Sequence, residues 1–138
     1  MSVKIIGEIG INHNGDLSLC KKIIDSAALS GCDAVKFQKR NPDVCVPEHQ
    51  KNIIRDTPWG KMTYLDYKYK IEFGKSEYDE IDRYCKEKNI GWFASVWDND
   101  SVNFMSQYTD ITKIPSALIT DKELSVYARE KFNTLIIS

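Results

Sequence analysis

No run in this sequence approaches the ~20 consecutive apolar residues that a membrane-crossing helix needs, and the opening MSVKII lacks the long apolar region of a signal peptide. Cysteine is sparse and unpatterned: Cys20, Cys32, Cys45 and Cys85 form no CxxC pair. The only histidines, His13 and His49, lie far apart in sequence. That excludes a recognisable zinc framework or disulfide scaffold and leaves reduced thiols as the expectation. Neither sign of charge dominates, with 19 Lys+Arg against 20 Asp+Glu, so there is no basic field to hold a nucleic-acid backbone. Internal repeats and low-complexity tracts are absent as well. What remains is the profile of a cytoplasmic protein of about one domain, its 138 residues and 42% hydrophobic content sufficient for a core.

The positive signals are short apolar strands that alternate with helical patterns. Ile5 to Asp16, IIGEIGINHNGD, reads as a strand carrying an acid, Glu8, followed by a polar turn. Leu17, Cys20, Ile23, Ile24, Ala27 and Ala28 then fall at helical spacing, with Asp16 placed to cap the start and Gly31 to end it. AVKFQ, WFASV, ITKI and LIIS supply four further strands. Between them, Ser76 with Asp79 predicts a helix start before Ile81, Tyr84 and Cys85. Val102, Met105 and Tyr108 mark a shorter helix, and Thr120 with Glu123 a capping box before Leu124, Tyr127 and Ala128. Strand–helix alternation of this kind predicts a parallel α/β sheet with right-handed crossovers. One connection, residues 39–75, is unusually long. It holds three prolines, a Trp-Gly turn and a Tyr-rich stretch, and Met62, Leu65, Tyr69 and Phe73 predict a short helical face there, either covering a site or packing as a surface insertion.

The chemistry sits at strand ends, where ligands of parallel α/β sheets gather. Lys36 and Gln38 share one face of their strand because alternate residues point the same way. Lys113 lies inside another strand, and a lysine in a buried strand is tolerated when its ammonium meets an anion. Ser95, Ser116 and Ser138 end their segments and would add short hydrogen bonds to phosphate oxygens. Glu8 can act as a general base, as a partner for a lysine, or as an acceptor that orients a sugar hydroxyl; burial would raise its pKa and nearby ammonium groups would lower it. His13 reads as a loop anchor and His49 as solvated. Tyr64, Tyr67 and Tyr69 could stack on a sugar, although such spacing is usually packing.

GEIGINHNGD, VKFQ, FASVWD, TKIPS and LIIS, in that order, give the chain a resemblance to the N-terminal part of the N-acetylneuraminate (sialic acid) synthase family, over essentially all 138 residues. The resemblance implies a (β/α)8 TIM-type barrel, of which about the first five βα units lie in residues 1–138. The later strands and a C-terminal antifreeze-like domain are not among them. It also implies a homodimer, and condensation of phosphoenolpyruvate with an N-acetylated aldose such as N-acetylmannosamine to a nine-carbon 2-keto acid, with release of phosphate. Glu8, Lys36, Gln38 and Lys113 match catalytic positions; Lys36, Ser95, Lys113, Ser116 and Ser138 match positions that hold phosphoenolpyruvate. The family's Mn or Mg ion has its ligands outside this sequence, so these residues alone are expected to be inactive. Two departures stand out: Ala94, Ser95 and Val96 where the family has Ser-Thr-Pro, and Pro115-Ser116 where it has Gly-Ser. Pro115 removes a backbone donor. Two other readings compete, a Schiff-base aldolase using Lys36 or Lys113, and a non-catalytic flavodoxin-like module.

Overall fold

In the computed structural model, which describes residues 3–138, period-2 apolar segments and helices alternate as the sequence pattern requires. The chain runs β1 (Ile6–Gly10), α1 (Leu17–Leu29), β2 (Ala34–Lys39), α2 (Pro42–Cys45), β3 (Ile54–Thr57), β4 (Gly60–Thr63) and α3 (Tyr64–Ile71). It continues through α4 (Lys75–Glu87), β5 (Gly91–Val96), α5 (Asn99–Met105), β6 (Ile111–Ile114), α6 (Lys122–Lys131) and β7 (Thr134–Ile137). Five strands form one parallel sheet in the order β1-β2-β5-β6-β7. The progression is sequential, without the reversal of strand order that a doubly wound flavodoxin-like sheet needs, so that reading is set aside.

Sequential parallel strands with crossovers of one hand place their helices on one face. Ile9, Val35, Phe37, Trp92, Ala94, Val96 and Ile114 point from the sheet into that layer and meet Cys20, Ile24, Ile81, Cys85, Val102, Met105, Leu124 and Ala128 from the helices. Each fully buried aliphatic or aromatic side chain here contributes about 1.5–3 kcal/mol. The alternate strand residues, Glu8, Lys36, Gln38, Ser95 and Lys113 among them, fall on the opposite face.

Helix starts follow local hydrogen bonding. Asp16 caps α1 as expected, its carboxylate accepting from Ser18 N at 2.7 Å and Leu19 N at 3.0 Å. The other two capping assignments are corrected. α4 starts at Gly74, with Glu77 reaching back to Gly74 N at 3.0 Å, rather than through Ser76 and Asp79. α6 is capped by Asp121, which accepts from Leu124 N at 2.9 Å, rather than by Thr120. In both places a nearby polar residue has a better-placed oxygen, and propensity alone does not rank the competitors.

The long connection is folded throughout. Its Trp-Gly turn closes an antiparallel hairpin, β3 with β4, which places Met62 in a strand rather than on a helix face; Leu65 and Tyr69 are on α3 and Phe73 lies past its end. Lys39 ties the end of α3 to β2 through Glu72 at 3.2 Å and the Phe73 carbonyl at 2.8 Å. Asp98, buried at the start of α5, accepts from Asn41 N at 2.7 Å and from the Cys45 thiol at 3.0 Å, which fixes α2. All four cysteines are free.

Candidate active site

Strand register assembles the cluster. Glu8 on β1 pairs with Lys36 on β2, and Ser95 on β5 is the register partner of both Gln38 on β2 and Lys113 on β6. In parallel strands register partners share a face. Lys36 is 5% exposed, and its Nζ lies 2.9 Å from Glu8 Oε2 and 2.9 Å from Ser95 Oγ, with the Phe37 carbonyl at 3.4 Å. Burial pulls the Lys36 pKa down, Glu8 opposes that shift, and the charges of Lys113 and Arg40 reinforce it. The Glu8 side chain, by contrast, is 56% exposed; among the described strands β1 has one neighbour, β2. Of its three possible roles the geometry realises the partnership with a lysine.

Gln38 joins this group from above. Gly10, at φ +56°, lies against both the Glu8 carboxylate and the Gln38 amide: a methyl group added there would sit 3.3 Å from Glu8 Oε1 and 3.5 Å from Gln38 Nε2. Gln38 Oε1 also accepts from Arg40, whose guanidinium stacks 4.2 Å over the Trp97 ring. Lys113 is half-buried, with no carboxylate within 4.0 Å among the described residues. Ser116 and Ser138 are exposed at the carboxyl ends of β6 and β7, and among the described residues the hydrogen bonds of Lys36 go to Ser95 and the Phe37 carbonyl instead. Arg40 and Trp97 belong to the same end of the sheet and were not singled out in the sequence. An arginine two positions past Gln38, hence on the same side of the extended chain, was the available signal. Its stacking partner across the sheet left none.

His13 is an anchor. It is 3% exposed, stacks on Phe73 with ring centroids 4.0 Å apart, and accepts a hydrogen bond at Nδ1 from Gly15 N at 3.0 Å. Burial lowers its pKa to about 4. Between that value and the unfolded value of 6.5 the unfolded chain binds a proton that the folded chain refuses. Stability therefore falls as pH drops through this window, by on the order of 3 kcal/mol in all. Urea unfolding at pH 7 and pH 5 should show about 2 kcal/mol of this loss in the parent and a slope smaller by about one proton in His13→Gln. His49 is exposed, as expected. Tyr64 and Tyr67 stack on each other at 6.4 Å, and Arg55 and Lys68 lie over the Tyr64 ring, so part of this aromatic group packs as a unit.

The open face of this parallel sheet thus carries two lysines and a single carboxylate, with an arginine at its rim. Comparison with known proteins makes this more particular. The NeuB family profile matches residues 23–138, and the chain belongs to that family. It is 40% identical over 107 residues to N-acetylneuraminate-9-phosphate synthase of Drosophila melanogaster, covering 76% of this chain and 28% of that protein. Against N,N'-diacetyllegionaminic acid synthase of Legionella pneumophila it is 33% identical over 145 residues, covering all of this chain and 40% of the relative. The solved N-acetylneuraminic acid (sialic acid) synthetase of Leptospira borgpetersenii, in complex with citrate, superposes with a TM-score of 0.84 at 30% identity, over 99% of this chain and 44% of that one. The chain thus spans less than half the length of these proteins. Among the described residues no helix is long and apolar enough to cross a membrane.

Proposed function

We propose that these residues are the phosphoenolpyruvate-binding part of a cytoplasmic, homodimeric nonulosonic acid synthase, and that the five parallel strands are the first five of a (β/α)8 barrel with the Lys36 face inward. The observation that carries the reading is the ammonium pair Lys36 and Lys113, with the Ser95 hydroxyl between them in register, balanced by Glu8 alone. Phosphoenolpyruvate is a small, highly charged anion. Lys36 and Lys113 hold its phosphate and carboxylate, Ser95 donates to an oxygen, and Glu8 keeps the Lys36 ammonium charged and aimed. Ser116 and Ser138 stand at the rim, where a bound phosphate comes within reach. Gln38 orients the N-acetylated aldose, so that the enol carbon attacks its aldehyde, water adds to the resulting cation, and phosphate leaves. The lysines stabilise negative charge throughout these steps.

A divalent metal that polarises the aldehyde does not fit the residues present. Among the described residues no three His, Cys, Asp or Glu side chains are grouped to hold one, and the His13 Nδ1 is already occupied by Gly15 N. No step is therefore routed through a metal here, and we propose that the 138-residue chain binds phosphoenolpyruvate without turning it over. Calorimetric titration should give saturable binding, while phosphate release with phosphoenolpyruvate, N-acetylmannosamine and Mn stays at background. Absence of binding contradicts the site, and clear turnover contradicts the division of labour.

One observation favours a second reading. The lowered pKa of buried Lys36 is what a Schiff-base lysine needs. The close contact with Glu8 keeps that amine protonated and argues against it. Borohydride with pyruvate should leave no adduct on Lys36, and a trapped adduct would favour the aldolase.

A further inference from the structure

The turn after β1 carries chemistry that anion binding leaves unused. Asn14-Gly15 is the one Asn-Gly pair in the sequence, and both residues are exposed in left-handed backbone, at φ +51° and +69°. Main-chain bonds hold the turn, Asn14 N to the Ile11 carbonyl at 3.0 Å and Asp16 N to the His13 carbonyl at 2.8 Å. Its side-chain hydrogen bonds come from Asn12, His13 and Asp16, which leaves the Asn14 carboxamide free to turn onto the next peptide.

The nitrogen of that peptide faces a base. Gly15 N donates to His13 Nδ1 at 3.0 Å, so its proton points at an imidazole nitrogen rather than at a carbonyl oxygen. A carbonyl oxygen only holds such a proton; an imidazole can take it, and 3.0 Å is within the reach a general base needs. The ring is 3% exposed and fixed by Phe73, stacked at 4.0 Å, and Phe37, tilted at 6.3 Å, neither of which titrates. Asp16, the acid of the turn, is engaged by Ser18 N and Leu19 N. Burial therefore sets the state of the ring: with its pKa lowered to about 4, His13 is a neutral acceptor at physiological pH. Asn89 supplies a contrast within the same chain. It too is exposed and left-handed, at φ +53°, but the amide that follows it, Ile90 N, donates to the Cys85 carbonyl at 3.0 Å, and the β-branched Ile90 side chain crowds the approach.

We infer that Asn14-Gly15 is a self-modification site, at which His13 acts as the base that closes Asn14 to a succinimide on the way to aspartate and isoaspartate. The Gly15 nitrogen bonds to Asn14 Cγ as its proton passes to His13 Nδ1; the Cγ–Nδ2 bond then breaks, and the proton leaves with ammonia. One water opens the ring at either carbonyl, giving aspartate or isoaspartate and restoring the neutral imidazole. Isoaspartate adds a methylene to the main chain where space is short, since a Cβ on Gly15 would lie 2.2 Å from the Lys70 carbonyl oxygen. Either product adds a negative charge. The modification thus loosens the junction between the turn after β1 and the end of α3. It needs no phosphoenolpyruvate and is independent of the synthase reading.

The 138-residue chain is incubated between pH 5 and pH 7, folded and in urea, and conversion at Asn14 and Asn89 is followed by peptide mapping with mass spectrometry. In the folded chain Asn14 should convert at least about tenfold faster than Asn89, at a rate that changes less than about twofold across this range because the base is already unprotonated. In urea, where His13 is no longer fixed, the Asn14 rate should rise about tenfold per pH unit, as hydroxide-driven closure does. His13→Gln, which accepts a hydrogen bond but cannot take the proton, should slow conversion of the folded chain about tenfold and restore the steep profile. An Asn14 rate no greater than that of Asn89, or a steep profile in the folded parent, overturns the inference. So does unchanged or faster conversion in a folded His13→Gln, which would make His13 a guard of the turn instead. Should His13→Gln not fold, the folded and urea profiles of the parent decide alone.

Discussion

Lys36→Met is expected to lower phosphoenolpyruvate affinity by about a hundredfold or more while leaving the fold's stability within about 1 kcal/mol of the parent. The two halves have one origin. At neutral pH the buried ammonium is a cost to the folded state: its pKa is depressed below the unfolded value of 10.5, so the folded chain binds a proton less readily than the unfolded one. Stability thus rises as pH climbs from the lowered value towards 10.5, and below that window the full cost is present. Methionine removes the cost. It also removes the contact with Glu8, but that side chain is 56% exposed and water takes over its oxygens. The Ser95 hydroxyl, 2% exposed, loses one partner, which offsets part of the gain. Binding has no such compensation, because the anion loses a cation fixed where its charge must sit. Denaturant unfolding beside calorimetry checks both halves; parallel losses in stability and affinity would mean that Lys36 is structural.

Gly15→Ala should be the most damaging single methyl group in the chain, costing about 3 kcal/mol or more. Gly15 has φ +69°, and a Cβ built on it lies 2.2 Å from the Lys70 carbonyl oxygen, which is backbone and cannot swing aside. The left-handed conformation alone costs an alanine roughly 1–2 kcal/mol, and the collision adds to that. Gly31 is the internal control: its φ is +81° but nothing lies within 4 Å of an added Cβ. Gly31→Ala should therefore show the conformational penalty alone, about 1 kcal/mol, and the difference between the two midpoints in urea measures the contact between the loop after β1 and the end of α3. Equal penalties would remove that contact from the account. The same junction carries the His13–Phe73 stack, so the long connection is anchored to the site's own loop at two points.

The sheet and the open-face cluster were legible because both obey period 2. Glu8, Lys36, Gln38, Ser95 and Lys113 alternate with apolar neighbours, and strand order does the rest. The hairpin was not legible: Ile54, Arg55 and Asp56 in β3 are exposed, so no buried face imprints an alternating pattern, and only its Trp-Gly turn was marked. Cap positions slipped by one or two residues where Asp121 and Glu77 outcompeted adjacent polar groups. How far Glu8 is covered was left open by the sequence, because exposure depends on which strands flank β1. The Arg40–Trp97 stack depends on β2 and β5 being neighbours, a tertiary fact with no local signature.

The central claim is that Lys36 and Lys113 serve one bound anion. Lysine side chains labelled with ¹³C at Cε, followed by NMR during a phosphoenolpyruvate titration of the 138-residue chain, report on each ammonium separately. The account predicts that the Lys36 and Lys113 signals move together and saturate at the same ligand concentration, while exposed Lys122 on α6 stays fixed. Saturable binding that leaves both signals in place, or moves only one of them, would contradict it.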